Sequence, residues 1–343
     1  MFLYINYKNK QQKLILWYNK LLRVSIMENI SRKEAIEEVE RIIKSGTVPV
    51  VSLNIFDSLS KIKYSKNIEN QLFYTLELCQ EFVDELKKCG KDFQEKYLSA
   101  LRKSDIVDNQ SLEMEDSFLI SLYYSMNSDF AIDKLINNVG IPLTKEKFVE
   151  YHDLLIKGSS SQDKTGLRSD NLKFVGKYVT NPKTLENERK ISYFPIDYRN
   201  IDEAVNLFLD YYNGSINEDI EQFNILKPII VHGLIAALQL FKDGNTRYGR
   251  LLQTVGLWEA LNKELNVDFS LPFVYGTRQY ASARGEYRNH ISNLACNGTV
   301  EAWEDWILFN LKKIQDCIFY NEYNIKKLTS LIDMQESSVL KKI

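Results

Sequence analysis

The sequence has no excess of charge of one sign, no long uninterrupted apolar run and few cysteines. Its 343 residues carry a formal net charge of -2, so bulk charge favours neither a nucleic-acid surface nor a membrane surface. The four cysteines, Cys79, Cys89, Cys296 and Cys317, lack CxxC spacing. This pattern argues against a disulfide framework or a cysteine metal site and predicts free thiols in a reducing cytoplasm.

The first 30 residues mix apolar and basic side chains without forming a membrane signal. Charges interrupt the apolar residues every few positions, so the segment is neither a transmembrane span nor a convincing signal peptide. Two interpretations remain open for this leader, which is not expected to belong to the core. It is either a short basic amphipathic arm or an upstream extension of the reading frame, since Met27 precedes a cleaner start.

The chain is organised around the stretch Leu238 to Arg250, which contains the end of one apolar helical pattern, a tight polar loop and the start of a second helical pattern. Apolar residues recur at three- and four-residue spacings on both sides of it. They are Ile230, Leu234, Ala237, Leu238 and Phe241 before the loop, and Leu251, Leu252, Val255 and Trp258 after it. We therefore expect two buried helices that fix the loop between them, the first running from about Pro228 to Phe241.

The residues of this loop suit a phosphate ligand. Gly244 lets the backbone approach a ligand, and the start of the following helix offers free N–H groups to an anion. Arg247 and Arg250 share one helix face and can each bind phosphate oxygens, while Asp243 is a suitable ligand for phosphate-bound Mg²⁺. The alternative is a capped helix start with two solvated arginines.

The loop resembles the signature HxFxDGNxRxxR of the Fic/Fido family of protein adenylyltransferases. All fixed positions match except the first, where the family has histidine and this chain has Gln239. The resemblance implies a mainly helical Fic/Fido bundle with a small β-hairpin flap, and ATP and Mg²⁺ as cofactors. It implies that Asp243 binds the metal, and that the phosphates are bound by Gly244, Asn245, Arg247 and Arg250.

A second motif of the family is its inhibitory helix, [S/T]xxxE[G/N], which Ser65, Glu69 and Asn70 resemble at the start of a helix predicted over about 68–88. The resemblance implies that Glu69 pairs with Arg250 and competes with the γ-phosphate of ATP. One guanidinium cannot bind both anions fully. The alternative is an ordinary helix start.

Residues 172–195 contain two short runs rich in β-branched and aromatic residues, which predict a hairpin in an otherwise helical chain. By resemblance this hairpin is the flap that binds a target protein by strand addition. A hairpin without a binding role is the alternative. We expect no nucleic-acid or membrane partner, and a homodimer remains open.

Four further residues are candidates at the edge of the site. Tyr280 and Tyr287 lie on a predicted helix that resembles the family's closing helices, which implies contacts with adenine. His152 is expected to make structural hydrogen bonds. His232, two turns before Gln239 and about 10 Å away by helical rise, is expected to be a satisfied core histidine and not a substitute base.

Glutamine at position 239 changes the chemistry that the resemblance implies. The family histidine takes the proton from a target Ser, Thr or Tyr hydroxyl as that hydroxyl attacks the α-phosphate of ATP. Glutamine has no accessible pKa for this task, and losing a general base lowers a rate by about 10² to 10⁴-fold. Three readings follow: a transferase with another base, a silent nucleotide-binding regulator, or a transferase of another phosphate-containing group.

The domain organisation expected from the sequence has four parts. After the leader, 1–30, comes an N-terminal helical region with the inhibitory motif, 31–157. The Fic/Fido core follows over 158–312, and a C-terminal helical tail over 313–343. Ser31 and Glu34 have capping-box spacing, and another amphipathic helix is predicted over 201–212.

Overall fold

The computed structural model describes residues 31–62, 65–112, 118–157, 159, 162–180, 187–214, 225–267 and 276–340. The leader expected over 1–30 therefore lies outside the described residues, as does the turn of the hairpin, 181–186. The signature loop and the helices on both sides of it lie within the described ranges.

The described residues form twelve α-helices and one two-stranded sheet, which confirms the predicted mainly helical fold class. Two short 3₁₀ turns, Gln162–Lys164 and Tyr198–Asn200, lie beside the strands. The elements are α1 (Arg32–Lys44), α2 (Asn54–Leu59), α3 (Lys66–Lys88), α4 (Lys91–Ser111), α5 (Phe118–Ile136), α6 (Lys145–Ile156), β1 (Val175–Thr180), β2 (Asn187–Tyr193), α7 (Ile201–Asn213), α8 (Leu226–Leu238), α9 (Asn245–Glu264), α10 (Thr277–Ser282), α11 (Arg284–Asn297) and α12 (Val300–Leu340).

Local sequence signals set the starts of α1 and α3. The capping box expected at α1 is present, because the Ser31 hydroxyl accepts from the Glu34 amide and the Glu34 carboxylate accepts from the Ser31 amide. Ser65 caps α3 by accepting from the amide of Ile68 at 3.3 Å. The end predicted for α8 is wrong by three residues, since the helix stops at Leu238 and not at Phe241.

The predicted hairpin is confirmed. Strands β1 and β2 pair antiparallel, with a bulge between Val175 and Gly176. Just after β2, Phe194 forms a parallel bridge to Val50 and packs with Val39 and Ile42 of α1 in a small second cluster. This cluster fixes the base of the hairpin against the N-terminal helix.

Helices α8 and α9 lie at the centre of the main core. Every residue of α8 except Lys227 is buried. Trp306 of α12 donates from its indole N–H to the carbonyl of Ile229 at 2.9 Å, and a Cβ added at Gly233 would lie only 2.6 Å from that indole nitrogen. Close packing against α12 thus fixes α8, and with it the loop that follows.

One continuous apolar cluster runs from Val51 to Ile325. The boundary expected at 157/158 therefore does not separate two cores, and the one at 312/313 falls inside α12. The four cysteines are unbridged, as predicted. In the described ranges, no helix combines the length and apolarity that crossing a membrane requires.

Candidate functional site

Gln239 ends α8 in a left-handed conformation, with φ 51° and ψ 55°. Its side-chain amide donates to the carbonyl of Ala236 at 2.8 Å, and only 7% of the residue is exposed. The side chain is therefore turned back onto the end of its own helix, where it satisfies one of the carbonyls that a helix leaves without a partner. This cap explains why α8 ends before the predicted position.

Arg168 fixes the backbone at Gln239 from a distant part of the chain. Its Nε donates to the carbonyl of Gln239 at 2.7 Å, and its other nitrogens donate to the carbonyls of Asp170 and Ile196. The neighbouring backbone forms an antiparallel bridge between Leu167 and Phe241. Burial lowers the pKa of Arg168 to about 10, so the guanidinium stays charged at neutral pH.

The side chain of Asn245 holds the loop together through hydrogen bonds to the loop backbone. Its side-chain oxygen accepts from the amide of Phe241 at 2.8 Å, and its side-chain nitrogen donates to the carbonyl of Phe241 at 2.9 Å. Only 2% of Asn245 is exposed. The structure thus uses this amide to hold the loop shape, although the resemblance assigned it to phosphate binding.

Gly244 allows the tight approach of the loop to α6. Its φ is +73°, and a Cβ at this position would lie 2.6 Å from Cγ2 of Ile156. Both its backbone conformation and its surroundings therefore require glycine. Gly244 is also the N-cap residue of α9, so the N-terminus of this helix lies at the loop.

His152 makes the structural hydrogen bonds predicted for it. Its Nε2 lies 2.7 Å from the carbonyl of Asp243, and its Nδ1 lies 2.9 Å from the carboxylate of Asp153. The ring stacks on Phe241 with centroids 3.7 Å apart and planes 7° apart. Asp153 also accepts from the amide of Gly166 at 2.8 Å, so this pair connects α6 to both loop segments.

Asp243 places its carboxylate at the exposed side of the loop. One oxygen accepts from the amide of Gly244 at 2.8 Å, and the other lies 3.4 Å from the ammonium of Lys164. The side chain remains 37% exposed. A single exposed carboxylate fits a Mg²⁺ ion whose other ligands are phosphate oxygens and water. The described residues contain no cluster of three or more acidic, histidine or cysteine side chains that could hold a metal alone.

The two signature arginines are buried, which rules out the alternative of two solvated side chains. Arg247 is 3% exposed, and its guanidinium lies beside Gly244. Arg250 is 2% exposed. Its Nε donates to the side-chain oxygen of Asn109 at 2.6 Å, and a terminal nitrogen donates to the hydroxyl of Tyr287 at 3.1 Å.

Tyr287 and Tyr280 belong to a buried polar network behind Arg250. Tyr287 bonds to Nε2 of His232 at 2.8 Å, and His232 in turn contacts the side-chain oxygen of Gln253. Tyr280 donates to the side-chain oxygen of Asn310 at 2.6 Å. Burial, with the nearby charge of Arg250, lowers the pKa of His232 to about 3. The predicted role of His232 as a satisfied core histidine is confirmed, and Tyr287 supports Arg250 from inside the core.

The expected pairing of Glu69 with Arg250 is absent from the structure. Glu69 is exposed on α3, and α3 packs against α12. Arg250 instead meets Asn109 of α4. The motif was placed correctly at a capped helix start, but the packing of that helix directs its glutamate to solvent.

Sequence reasoning missed Asn109 and Arg168 as parts of the site. Asn109 has no local signal, because a polar residue near the end of an amphipathic helix is ordinary. Arg168 lies in a Gly-Leu-Arg-Ser segment before the hairpin. The only sequence signal for it is a glycine and an arginine close together ahead of a β-prone run.

Comparison with known proteins identifies the region that contains the loop. Residues 142–257 match the model of the Fic/DOC family. These residues form a Fic/DOC domain. The match begins at residue 142, three residues before α6, and so includes His152, which the sequence-based boundary at 158 left outside.

One solved structure supports the same fold. The chain is similar to a Fic family protein from Desulfovibrio desulfuricans G20, with a TM-score of 0.53 and 13% identity over 76% of each chain. Fic-1 from C. elegans aligns over 74% of this chain and 72% of that chain, with 13% identity and a TM-score of 0.48. A Fic domain containing signaling protein from Bacteroides thetaiotaomicron aligns over 71% and 94%, with 10% identity and a TM-score of 0.47. A comparison with curated proteins finds no sequence match.

Proposed function

We propose that the chain binds Mg-ATP at the loop 239–250 and descends from protein adenylyltransferases, with AMP transfer weak or absent. The observation that carries this proposal is the position of Gln239. Its amide caps α8 at Ala236, whereas Arg247 lies beside Gly244 at the start of α9, where a phosphate chain would bind. In this proposal the loop can bind the nucleotide, although the residue at position 239 cannot accept a proton.

The loop supports the binding of a phosphate chain. The N-terminus of α9 starts at Gly244, and its amide groups and dipole favour an anion. Arg247 lies beside the same glycine. Lys173 places a further positive charge beside the loop, since its ammonium lies 3.0 Å from the carbonyl of Lys242. An anionic ligand at this loop is therefore favoured by backbone and side chains together.

Asp243 would hold the metal. Lys164 lies 3.4 Å from one of its oxygens, and this ammonium would move aside when a phosphate-bound cation arrives. When bound, Mg²⁺ neutralises part of the phosphate charge and orients the phosphates for attack.

The transfer itself needs a proton acceptor. The oxygen of a target hydroxyl forms a bond to the α-phosphorus, the bond from that phosphorus to the pyrophosphate oxygen breaks, and the hydroxyl proton must leave. Gln239 has no group that takes up a proton near neutral pH. The loss of a general base raises the barrier by roughly 3 to 5 kcal/mol.

The hairpin of β1 and β2 is the part of the structure suited to a target protein. It has two strands in the described chain, and no third strand pairs with them there, so an extended segment could add to it as a further strand. Its base is fixed against α1 by Phe194. In this proposal the partner is a protein segment, and no nucleic acid is required.

A second candidate function is a catalytically inactive nucleotide-binding regulator. The same cap favours it, because Gln239 is used in the structure as a helix terminator. A regulator of this kind would bind Mg-ATP and a partner protein without transferring AMP.

One experiment separates these functions. Native protein, Gln239→His and Gln239→His with Arg247→Ala are incubated with Mg²⁺, α-labelled ATP and lysate protein, and modification is followed by label and intact mass. We expect label only in Gln239→His, and none when Arg247 is also lost. Label in the native protein would instead show a working transferase with another base. The absence of Mg-ATP binding by calorimetry in both the native protein and Gln239→His would remove the nucleotide proposal.

A further inference from the structure

A cavity of about 330 Å³ lies at the opposite end of α8 and α9 from the signature loop. Its walls come from α5, α6, α7, α8 and α9. Glu259 and Lys263 line it. Glu259 is fifteen residues beyond Gly244, which corresponds to about 20 Å of helix. The cavity is therefore separate from the phosphate-binding loop.

The inner wall of the cavity is apolar and well packed. Close helix contact shapes it, since a Cβ added at Gly256 would lie 2.7 Å from Cβ of Pro228. A volume of this size falls within the range of small-molecule sites in proteins. The apolar lining residues include Leu135, Val139, Val231, Leu252, Val255 and Ala260.

Two tyrosines supply polar groups inside the cavity. Tyr151 is only 3% exposed, and Tyr212 is partly buried beside it. Both line the cavity, and neither hydroxyl has a hydrogen-bond partner within the described part of the chain. Neither hydroxyl oxygen is among the fully buried side-chain atoms that lack a partner, so both are accessible and open to a hydrogen bond with a ligand or water in the cavity.

The charged lining residues favour an anion. Among the described residues, three lysines, Lys147, Lys227 and Lys263, line the cavity together with one acidic residue, Glu259. The ammonium of Lys147 lies 3.3 Å from the side-chain oxygen of Asn138, which is a neutral partner. A cationic rim around an apolar interior suits a molecule with an apolar body and a negative end.

We propose that this cavity binds a small amphipathic organic anion, with an aromatic or aliphatic body in the apolar interior and one carboxylate or sulfonate at the lysine rim. The tyrosine hydroxyls donate to the anionic group. This site does not depend on the proposed nucleotide function, because it shares no side chain with the loop.

The test uses two fluorescent probes with similar aromatic bodies. 8-Anilinonaphthalene-1-sulfonate carries a sulfonate, and N-phenyl-1-naphthylamine is neutral. The native full chain is expected to bind one equivalent of the sulfonate probe, at least tenfold more tightly than the neutral one. Ala260→Phe fills the interior and is expected to weaken both probes at least tenfold, with an unchanged circular dichroism spectrum.

A second variant keeps the test independent of folding. Lys147→Gln with Lys263→Gln changes only the rim and is expected to weaken the sulfonate probe at least fivefold while leaving the neutral probe unchanged. Lys145→Gln, on the same helix but outside the cavity, is the matched control and is expected to have no effect. Non-saturable binding, or equal sulfonate affinity in the native, rim and control proteins, would overturn the proposal.

Discussion

The side-chain oxygen of Asn109 accepts a hydrogen bond of 2.6 Å from Nε of Arg250. Both residues are buried, and they come from helices α4 and α9, 141 positions apart in the chain. The neutral amide holds the arginine in place without neutralising it.

Replacing Asn109 by aspartate tests this relationship with almost no change in shape. A carboxylate beside Arg250 forms a stronger, charge-assisted hydrogen bond and competes with phosphate. We expect Asn109→Asp to weaken Mg-ATP binding about tenfold, or roughly 1.4 kcal/mol, as measured by calorimetry. Glu69→Gln is the control and is expected to leave the affinity unchanged, because Glu69 is exposed. An unchanged affinity in Asn109→Asp, with a raised affinity in Glu69→Gln, would instead identify Glu69 as the residue that competes for Arg250.

Phe241→Ala tests the packing under the loop. Phe241 is fully buried, stacks on His152 and has its ring centroid 5.0 Å from that of Phe148. Removing the ring is expected to lower the free energy of unfolding by about 3 to 5 kcal/mol, measured by urea denaturation. Phe319→Ala, at a ring that is 43% exposed, should lower it by less than about 1 kcal/mol. Equal losses in the two variants would contradict the packing.

Gly244→Ala tests the strain that the loop places on its glycine. Alanine would have to adopt φ +73° with its Cβ 2.6 Å from Ile156, so we expect a loss of about 2 kcal/mol or more in the free energy of unfolding. The matched control is Gly285→Ala in α11, where a Cβ meets nothing within 4 Å. That change is expected to be neutral or to stabilise by up to about 1 kcal/mol. A fully stable Gly244→Ala protein would show that the loop can relax.

The sequence alone predicts the parts of the site that depend on local patterns. The apolar spacing around the loop correctly indicates that α8 and α9 are buried, and Ser31 with Glu34 correctly marks the start of α1. The loop residues themselves follow from the signature. Each of these features depends on residues a few positions apart, which is why a single sequence contains them.

Features that depend on packing between distant helices were not predictable. The end of α8 at Leu238 is set by the left-handed Gln239, whose carbonyl is held by Arg168 from 71 positions away. Glu69 faces solvent because α3 packs on α12, and no pattern within α3 encodes that choice. Asn109 reaches Arg250 only through the placement of α4.

Asp105 provides a test through pH. It is buried on α4 and accepts from the amide of Thr277 at 2.7 Å. Burial, opposed by the hydrogen bonds from Thr277, raises the pKa of Asp105 to about 6. Because this folded-state pKa lies above the ordinary value, the carboxyl favours the folded state below about pH 4, and that contribution is lost as the pH rises through about 6.

Asp105→Asn removes this titration while keeping the size of the side chain and its acceptor oxygen. The difference in unfolding free energy between the variant and the native protein is expected to shift in favour of the variant by up to about 3 kcal/mol between pH 4 and pH 7.5. Urea denaturation at half-unit pH steps measures it, and most of the shift should fall between about pH 4 and pH 6. A difference that stays constant across this range would show that the Asp105 carboxyl titrates alike in the folded and unfolded chains, and that α4 does not bury it beside α10.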